Sequence, residues 1–141
     1  MNIDAIQNGI VIDHIEAGKG MEIYRLLGLG GLDCQVAIIK NAASRKMGRK
    51  DIIKIAADIP VNTEILGYVD PGVTVDVIRN GVLVEKKKAE LPERLTNLIF
   101  CRNPRCITTT EQELPHIFRL TDKEKREYRC LYCETKYEAP I

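Results

Sequence analysis

Apolar and polar positions alternate with different periods along the chain, and each change of period marks an element. Gly9-Ile10-Val11-Ile12-Asp13-His14-Ile15 is dense in β-branched residues and predicts a buried strand. From Met21 to Leu29 the apolar residues at 23, 26, 27 and 29 follow a helical spacing. Gly28-Leu29-Gly30-Gly31 ends it; these glycines do not match G-x-G-x-x-G, and a helix C-cap is the better reading. Cys34 to Ile39 predicts a second strand, Asn41 to Lys50 a loop carrying Arg45, Lys46, Arg49 and Lys50, and Asp51 to Ala57 a third strand. Asn62 is expected to cap a short helix through Tyr68, before a turn at Asp70-Pro71-Gly72. Val73, Val75 and Val77 then alternate with polar residues. Asn80-Gly81 suits a type I′ hairpin turn, which needs positive φ at both central residues, and Val82-Leu83-Val84 returns as a fifth strand.

The order β-α-β-β-α-β-β predicts an α+β sandwich of the ferredoxin-like kind. Past Leu91-Pro92 the strand repeats give way to cysteines, which predicts one domain over residues 1–92 and a second, small all-β zinc-ribbon-like domain over 93–141. Four of the five cysteines lie there, as C-x4-C (Cys101, Cys106) and C-x2-C (Cys130, Cys133) separated by 23 residues. Two short-spaced pairs suit one tetrahedral ion, because each pair clips one edge of the tetrahedron. Disulfides compete for the same four thiols but need an oxidising compartment, and nothing in the chain directs it to one. Four thiolates leave no open coordination position, so the zinc expected here is structural. Cys34 stands alone and reads as an inert, buried thiol.

Composition narrows the function. The chain has 141 residues, 45% hydrophobic but only 5% aromatic and without Trp, so the core must be aliphatic. Net charge is +1, with 13 residues of each sign in 1–100 and 8 basic against 7 acidic in 101–141. That balance, with few aromatics and no basic helix, speaks against nucleic-acid binding, whose affinity rests on neutralising phosphates. Met1-Asn2-Ile3-Asp4 does not read as a signal peptide, and no apolar run approaches the roughly 18 residues of a membrane span; the chain reads as cytoplasmic.

Catalysis lacks candidates. Ser44 is the only serine, and His14 and His116 are the only histidines. Asp13 and His14 are consecutive on a strand, so their side chains are expected on opposite faces. What remains is a set of cations. Lys54 sits between Ile53 and Ile55 inside a strand, where its stem would ordinarily cover apolar surface while the ammonium stays wet. Lys86-Lys87-Lys88 would ordinarily be a solvated strand end, and His14 a satisfied structural residue. Together they suggest a site for a polyphosphate, with Asp13 accepting from sugar hydroxyls or a base edge.

Four ordered signatures carry a family resemblance: Val11-Ile12-Asp13-His14-Ile15, Met47-Gly48-Arg49-Lys50-Asp51-Ile52-Ile53-Lys54-Ile55, Leu91-Pro92-Glu93-Arg94, and the cysteine spacing. Over almost its whole length the chain resembles the regulatory chains of aspartate carbamoyltransferase. The resemblance implies a non-catalytic subunit of the enzyme that commits carbamoyl phosphate and aspartate to pyrimidine synthesis. It implies an N-terminal domain that binds CTP, ATP and UTP, with magnesium a further candidate, and a zinc domain that docks on the catalytic chain. It also implies a regulatory dimer that links catalytic trimers. By position, Asp13 and Lys54 resemble the readers of ribose and base, His14 and Lys86 approach the triphosphate, and Lys50 lies near the phosphates and a second nucleotide. Ala5, Ile6, Val11, Ile78 and Leu83 resemble the wall around the base, and the four cysteines the zinc ligands.

The sequence also departs from that pattern. The stretch from Pro60 to Gly67 is shorter than in the enterobacterial form, so a trimmed second helix is expected. Asp76 stands where the family has a neutral Asn, and Gly81 where it has a Tyr. A carboxylate near a polyphosphate weakens binding unless Lys86 or a metal ion offsets it. The competing reading is a four-cysteine ribbon serving a nucleic-acid or transcription-associated module, with the first domain as an accessory.

Overall fold

The computed structural model describes residues 6–138. The chain divides into two compact units, Met1–Glu90 and Leu91–Ile141. In the first unit the elements run β1 (Gly9–Glu16), α1 (Gly20–Leu26), β2 (Val36–Ser44), β3 (Gly48–Ile55), α2 (Thr63–Val69), β4 (Thr74–Arg79) and β5 (Val82–Lys88). The strands form one antiparallel sheet in the order β2-β3-β1-β4-β5. Its first four strands have the ferredoxin-like arrangement expected from the element order, and β5 extends the sheet by one hairpin.

Period-2 patterning decides which face is covered. Ile10, Ile12 and Ile15 of β1, Ile53 and Ile55 of β3, and Val75 of β4 join Ile23 of α1 and Leu66 and Val69 of α2 in one buried cluster. Each such aliphatic side chain contributes about 1.5–3 kcal/mol by leaving water. The aromatic neighbours of this core, Tyr24 and Tyr68, are only partly buried, so the core is aliphatic as the composition requires. Cys34 is half-buried against it, more exposed than expected.

Local signals act as read at several points. The Asn62 side chain accepts from the backbone N–H of Glu64 (3.0 Å) and Ile65 (3.3 Å), capping α2. Asn80 and Gly81 both have positive φ, 51° and 75°, as the type I′ turn demands. The first helix stops earlier than its apolar spacing suggested. Leu26 is its last residue and is exposed, Gly28 takes φ 66°, and a 3-10 turn over Leu29–Gly31 buries Leu29. At Gly67 an added Cβ would lie 1.8 Å from the Glu90 carbonyl oxygen, so α2 rests directly on the backbone leaving β5.

Two expectations fail for one reason, register. The predicted loop Asn41–Lys50 is mostly strand: β2 continues to Ser44, β3 starts at Gly48, and only residues 45–47 turn. A bulge makes this continuation feasible. Between Ile39↔Ile52 and Ala42↔Lys50 the β2 strand uses three residues against two, with Asn41 at φ 58°. The same device occurs in β1, between Ile12↔Ile53 and Ile15↔Asp51, with His14 at φ 60°. Ile12 and Ile15 therefore both face the core, and strict alternation breaks between them.

The second unit holds β6 (Arg94–Thr96), a single helical turn α3 (Ile107–Thr110), β7 (Ile117–Asp122) and β8 (Glu127–Cys130), with the strands in the order β6-β7-β8. Leu95, Ile99, Phe118 and Tyr128 are buried there beside Cys101, Cys106 and Cys130. The Phe118 and Tyr137 rings meet edge to face at 5.7 Å. Among the described residues no helix is long and apolar enough to cross a membrane.

Candidate functional sites

The sheet of the first unit is covered by helices on one face only. On the other face the antiparallel register places Ala37, Lys54, Val11, Asp76 and Lys86 in one row across all five strands. Next to this row, Ile78 faces Gly9 on one side and Leu83 on the other, forming an apolar end. At the opposite end Asp13 faces Thr74, which in turn faces Lys88. The lysine triplet is thus divided: Lys86 and Lys88 share the open face, while Lys87 lies opposite Val75 and pairs with Glu85 at 3.5 Å.

The β1 bulge brings Asp13 and His14 to the same face, which corrects the expectation that they part. The Asp13 carboxylate pairs with Lys50 Nζ at 3.0 Å and accepts from the backbone N–H of His14 at 2.6 Å. His14 Nδ1 lies 3.0 Å from the Thr74 hydroxyl, and Thr74 is the cross-strand neighbour of Asp13. Burial pushes the Asp13 carboxyl up, but the Lys50 contact and the His14 N–H outweigh it and hold the carboxyl below the ordinary value of 3.8. Val11 and Ile78 are half-buried and Leu83 is exposed. Ile6, also half-buried, precedes Gln7, whose carbonyl accepts from the Gly81 N–H, so the chain entering β1 runs beside the β4–β5 turn. Ala5 lies outside the described residues.

Sequence reasoning missed the anchor of this arrangement, Asp51. It is fully buried, and its carboxylate accepts from the backbone N–H groups of Gly18 (3.1 Å), Gly20 (3.0 Å) and Asn41 (3.0 Å). It therefore ties the segment after β1 and the bulge of β2 to β3, while its neighbour Lys50 reaches Asp13 on the other face. An acidic residue directly preceding the Ile52-Ile53 run, inside a strand, was the available signal.

In the second unit the four cysteine sulfurs lie within 4.8 Å of one another. Cys101 and Cys133 Sγ are 3.6 Å apart, and Cys106 and Cys130 Sγ 3.7 Å. A disulfide needs about 2.05 Å. Ligands at about 2.3 Å from a tetrahedral zinc would sit about 3.8 Å apart, so these separations fit one ion and no disulfide. In each cysteine pair the second sulfur has a hydroxyl two residues on. Thr108, buried, lies 3.0 Å from Cys106 Sγ, and Thr135 lies 3.2 Å from Cys133 Sγ. The repeated C-x-T spacing was the sequence signal for these partners. His116 Nδ1 accepts from the Cys101 N–H at 3.0 Å, and its ring meets Phe100 edge to face, so this histidine holds the first clip in place.

The thiols have divergent acidities. Burial pushes Cys101 up to about 12, and it raises Cys130 as well. Burial also opposes ionisation of Cys133, but the Thr135 hydroxyl and N–H and the Asn103 amide overcome it, leaving Cys133 at about 6. Burial opposes ionisation of this cluster, and a bound cation offsets it by taking the sulfurs as thiolate ligands.

Two family models match in succession. One, described as the aspartate carbamoyltransferase regulatory chain, allosteric domain, covers residues 1–90; the other, the metal binding domain of the same chain, covers 93–141. Among curated relatives named aspartate carbamoyltransferase regulatory chain, one from Clostridium botulinum is 50% identical over 97% of this chain and 94% of its own length. One from Clostridium tetani is 45% identical over 98% and 96%, and one from Bifidobacterium longum 44% over 95% and 96%. Both halves match, in order and over nearly full length, which favours this assignment over a nucleic-acid ribbon with an accessory domain. The chain belongs to the aspartate carbamoyltransferase regulatory chain family, as a non-catalytic subunit with an allosteric and a metal-binding domain.

Proposed function

We propose that the open sheet face of the first unit is a nucleotide effector site, and that the second unit is a zinc-stabilised module docking on the catalytic chain. The observation that carries the first proposal is the gathering of His14, Lys50, Lys54 and Lys86 on one face beside the apolar end formed by Ile78 and Leu83. Ammonium and imidazole groups suit a triphosphate, and the apolar end suits a base. Asp13, held ionised by Lys50, accepts from sugar hydroxyls. CTP, ATP and UTP are the expected ligands, with Mg2+ accompanying the phosphates. Ile6, half-buried beside the β4–β5 turn, adds to the wall around the base, and the resemblance alone assigns Ala5 to it.

The four-thiolate set of Cys101, Cys106, Cys130 and Cys133 is closed, so the zinc it would hold supplies fold rather than chemistry. The working boundary is 1–92 for the effector domain and 93–141 for the zinc domain. The chain acts in the cytoplasm as a regulatory dimer bridging catalytic trimers. An effector changes activity only by binding the two global states of that assembly unequally.

Calorimetric titration of the zinc-loaded chain with CTP, at physiological salt with magnesium, tests this reading. Saturable binding that Lys54→Ala weakens supports it. CTP affinity unchanged by Lys54→Ala removes Lys54 from the site, and no binding of CTP, ATP or UTP defeats the reading.

A further inference from the structure

Four thiolates around one divalent ion carry more negative charge than the ion cancels, and three of the four cysteines here, Cys101, Cys106 and Cys130, are buried. Buried charge is costly unless hydrogen-bond donors meet it. The donors that face these sulfurs therefore help to hold the metal.

Thr108, Thr109 and Thr110 are consecutive in the single turn of α3, yet their hydroxyls have different partners. Thr109 donates to the Cys106 carbonyl at 2.7 Å and Thr110 to the Ile107 carbonyl at 3.1 Å, each three residues back, a common outlet for a helical threonine. Thr108 instead turns its hydroxyl to Cys106 Sγ, 3.0 Å away, and the residue is only 2% exposed. A thiol sulfur is a weak acceptor for a buried hydroxyl, whereas a thiolate accepts a charge-assisted bond.

The second hydroxyl is aimed by a relay. Asn103 Oδ1 accepts from the Arg105 N–H at 3.0 Å, and a backbone N–H can only donate, so the orientation of this amide is fixed. Its Nδ2 then donates to Thr135 Oγ1 at 3.2 Å. The Thr135 oxygen accepts there, which leaves its own hydrogen for Cys133 Sγ, 3.2 Å away. Asn103 lies between Cys101 and Cys106, so the relay also ties the loop of the first cysteine pair to a sulfur of the second.

We infer that the Thr108 and Thr135 hydroxyls, the latter aimed by Asn103, donate hydrogen bonds to the metal-bound thiolates of Cys106 and Cys133 and set how tightly this chain holds its zinc. This rests on the zinc reading above and names the groups outside the ligand set that tune it. The two bonds fall on one sulfur of each short-spaced pair, so the excess negative charge is offset in both halves of the site.

The test is competition for Zn2+ between a chromogenic chelator and the full chain, native and as Thr108→Val, Thr108→Ser and Thr135→Val, with absorption spectra of the Co2+-loaded proteins. Valine keeps the shape of threonine without the hydroxyl. Thr108→Val should weaken zinc binding about 10- to 100-fold, and Thr135→Val about 10-fold or less, because water replaces part of an exposed donor. Thr108→Ser keeps the hydroxyl and should stay near the native affinity. A hydrogen bond stabilises the sulfur electrons, so its loss should move the sulfur-to-cobalt charge-transfer band to longer wavelength in both valine variants. If Thr108→Val takes up no metal, Thr135→Val, at an exposed position, carries the same test independently. Zinc affinities within about two-fold of native in both valine variants overturn the inference. Weaker binding with an unmoved cobalt band also overturns it, since the hydroxyls then support the fold and not the sulfurs. Thr108→Ser as weak as Thr108→Val assigns the effect to the lost methyl and overturns the role of Thr108. A native chain that binds neither Zn2+ nor Co2+ defeats the zinc reading itself, and this inference with it.

Discussion

Removing the metal from the second unit should unfold it while leaving the first intact. Outside the cysteines, the fully or nearly fully buried apolar side chains among the described residues of that unit are Leu95, Ile99, Phe118 and Tyr128. At about 1.5–3 kcal/mol each they contribute about 6–12 kcal/mol before the cost of ordering the chain, and this is an upper estimate. A structural zinc supplies an apparent 10–16 kcal/mol (roughly, near pH 7), as much as or more than this core. Whole domains are stable by only about 5–15 kcal/mol, so losing the ion removes a contribution as large as the whole margin. The first unit has its own aliphatic core of Ile10, Ile12, Ile15, Ile53, Ile55 and their neighbours, and no cysteine of the cluster. The assay is the amide NMR spectrum of the full chain, titrated with a chelator until no zinc remains. Resonances from residues 91–138 should collapse to the unfolded region while those from 6–90 stay dispersed. Cys106→Ser, which removes a buried ligand 3.7 Å from Cys130 Sγ, should reproduce the result without chelator. A dispersed, native spectrum for 91–138 in metal-free protein would show that the four sulfurs are held by packing alone and would refute the reasoning.

Other predictions concern the first unit. Asp51→Asn keeps the shape of the side chain but turns an NH2 group toward at least one of three backbone donors now 3.0–3.1 Å from the carboxylate. Urea denaturation should show a loss of about 2–4 kcal/mol, and a loss under about 1 kcal/mol would contradict the anchoring role. The Asp13 carboxyl has a folded-state pKa below its unfolded value of 3.8, so its contribution to stability is complete above that value and is lost as pH falls through the lower, folded one. Lys50→Met removes the ammonium 3.0 Å away, so carboxyl-detected NMR should show Asp13 titrating at higher pH than in the native chain. An unmoved titration would mean that the His14 N–H alone sets its acidity.

The sequence determined whatever rests on contacts close in the chain. Asn62 caps α2 through N–H groups two and three residues away, and Asn80-Gly81 turns because both residues tolerate positive φ. Period-2 runs of Ile and Val selected the covered face, and the spacing of Cys101, Cys106, Cys130 and Cys133 marked the metal cluster before any coordinates. Tertiary structure decided what depends on register between strands. The bulges at His14 and Asn41 are extra residues relative to a partner strand, so no periodicity within β1 or β2 reveals them. They place Asp13 and His14 on one face and extend β2 through the segment that polarity marked as a loop. Likewise, Asp51 becomes an anchor only because Gly18, Gly20 and Asn41 bring their N–H groups to it from two other segments. Asp76 shows a buried oxygen, unpaired among the described residues, only when β1 and β5 are in place beside it. A side chain's identity fixes what it can donate or accept; which groups meet it across the sheet is set by how the strands pair.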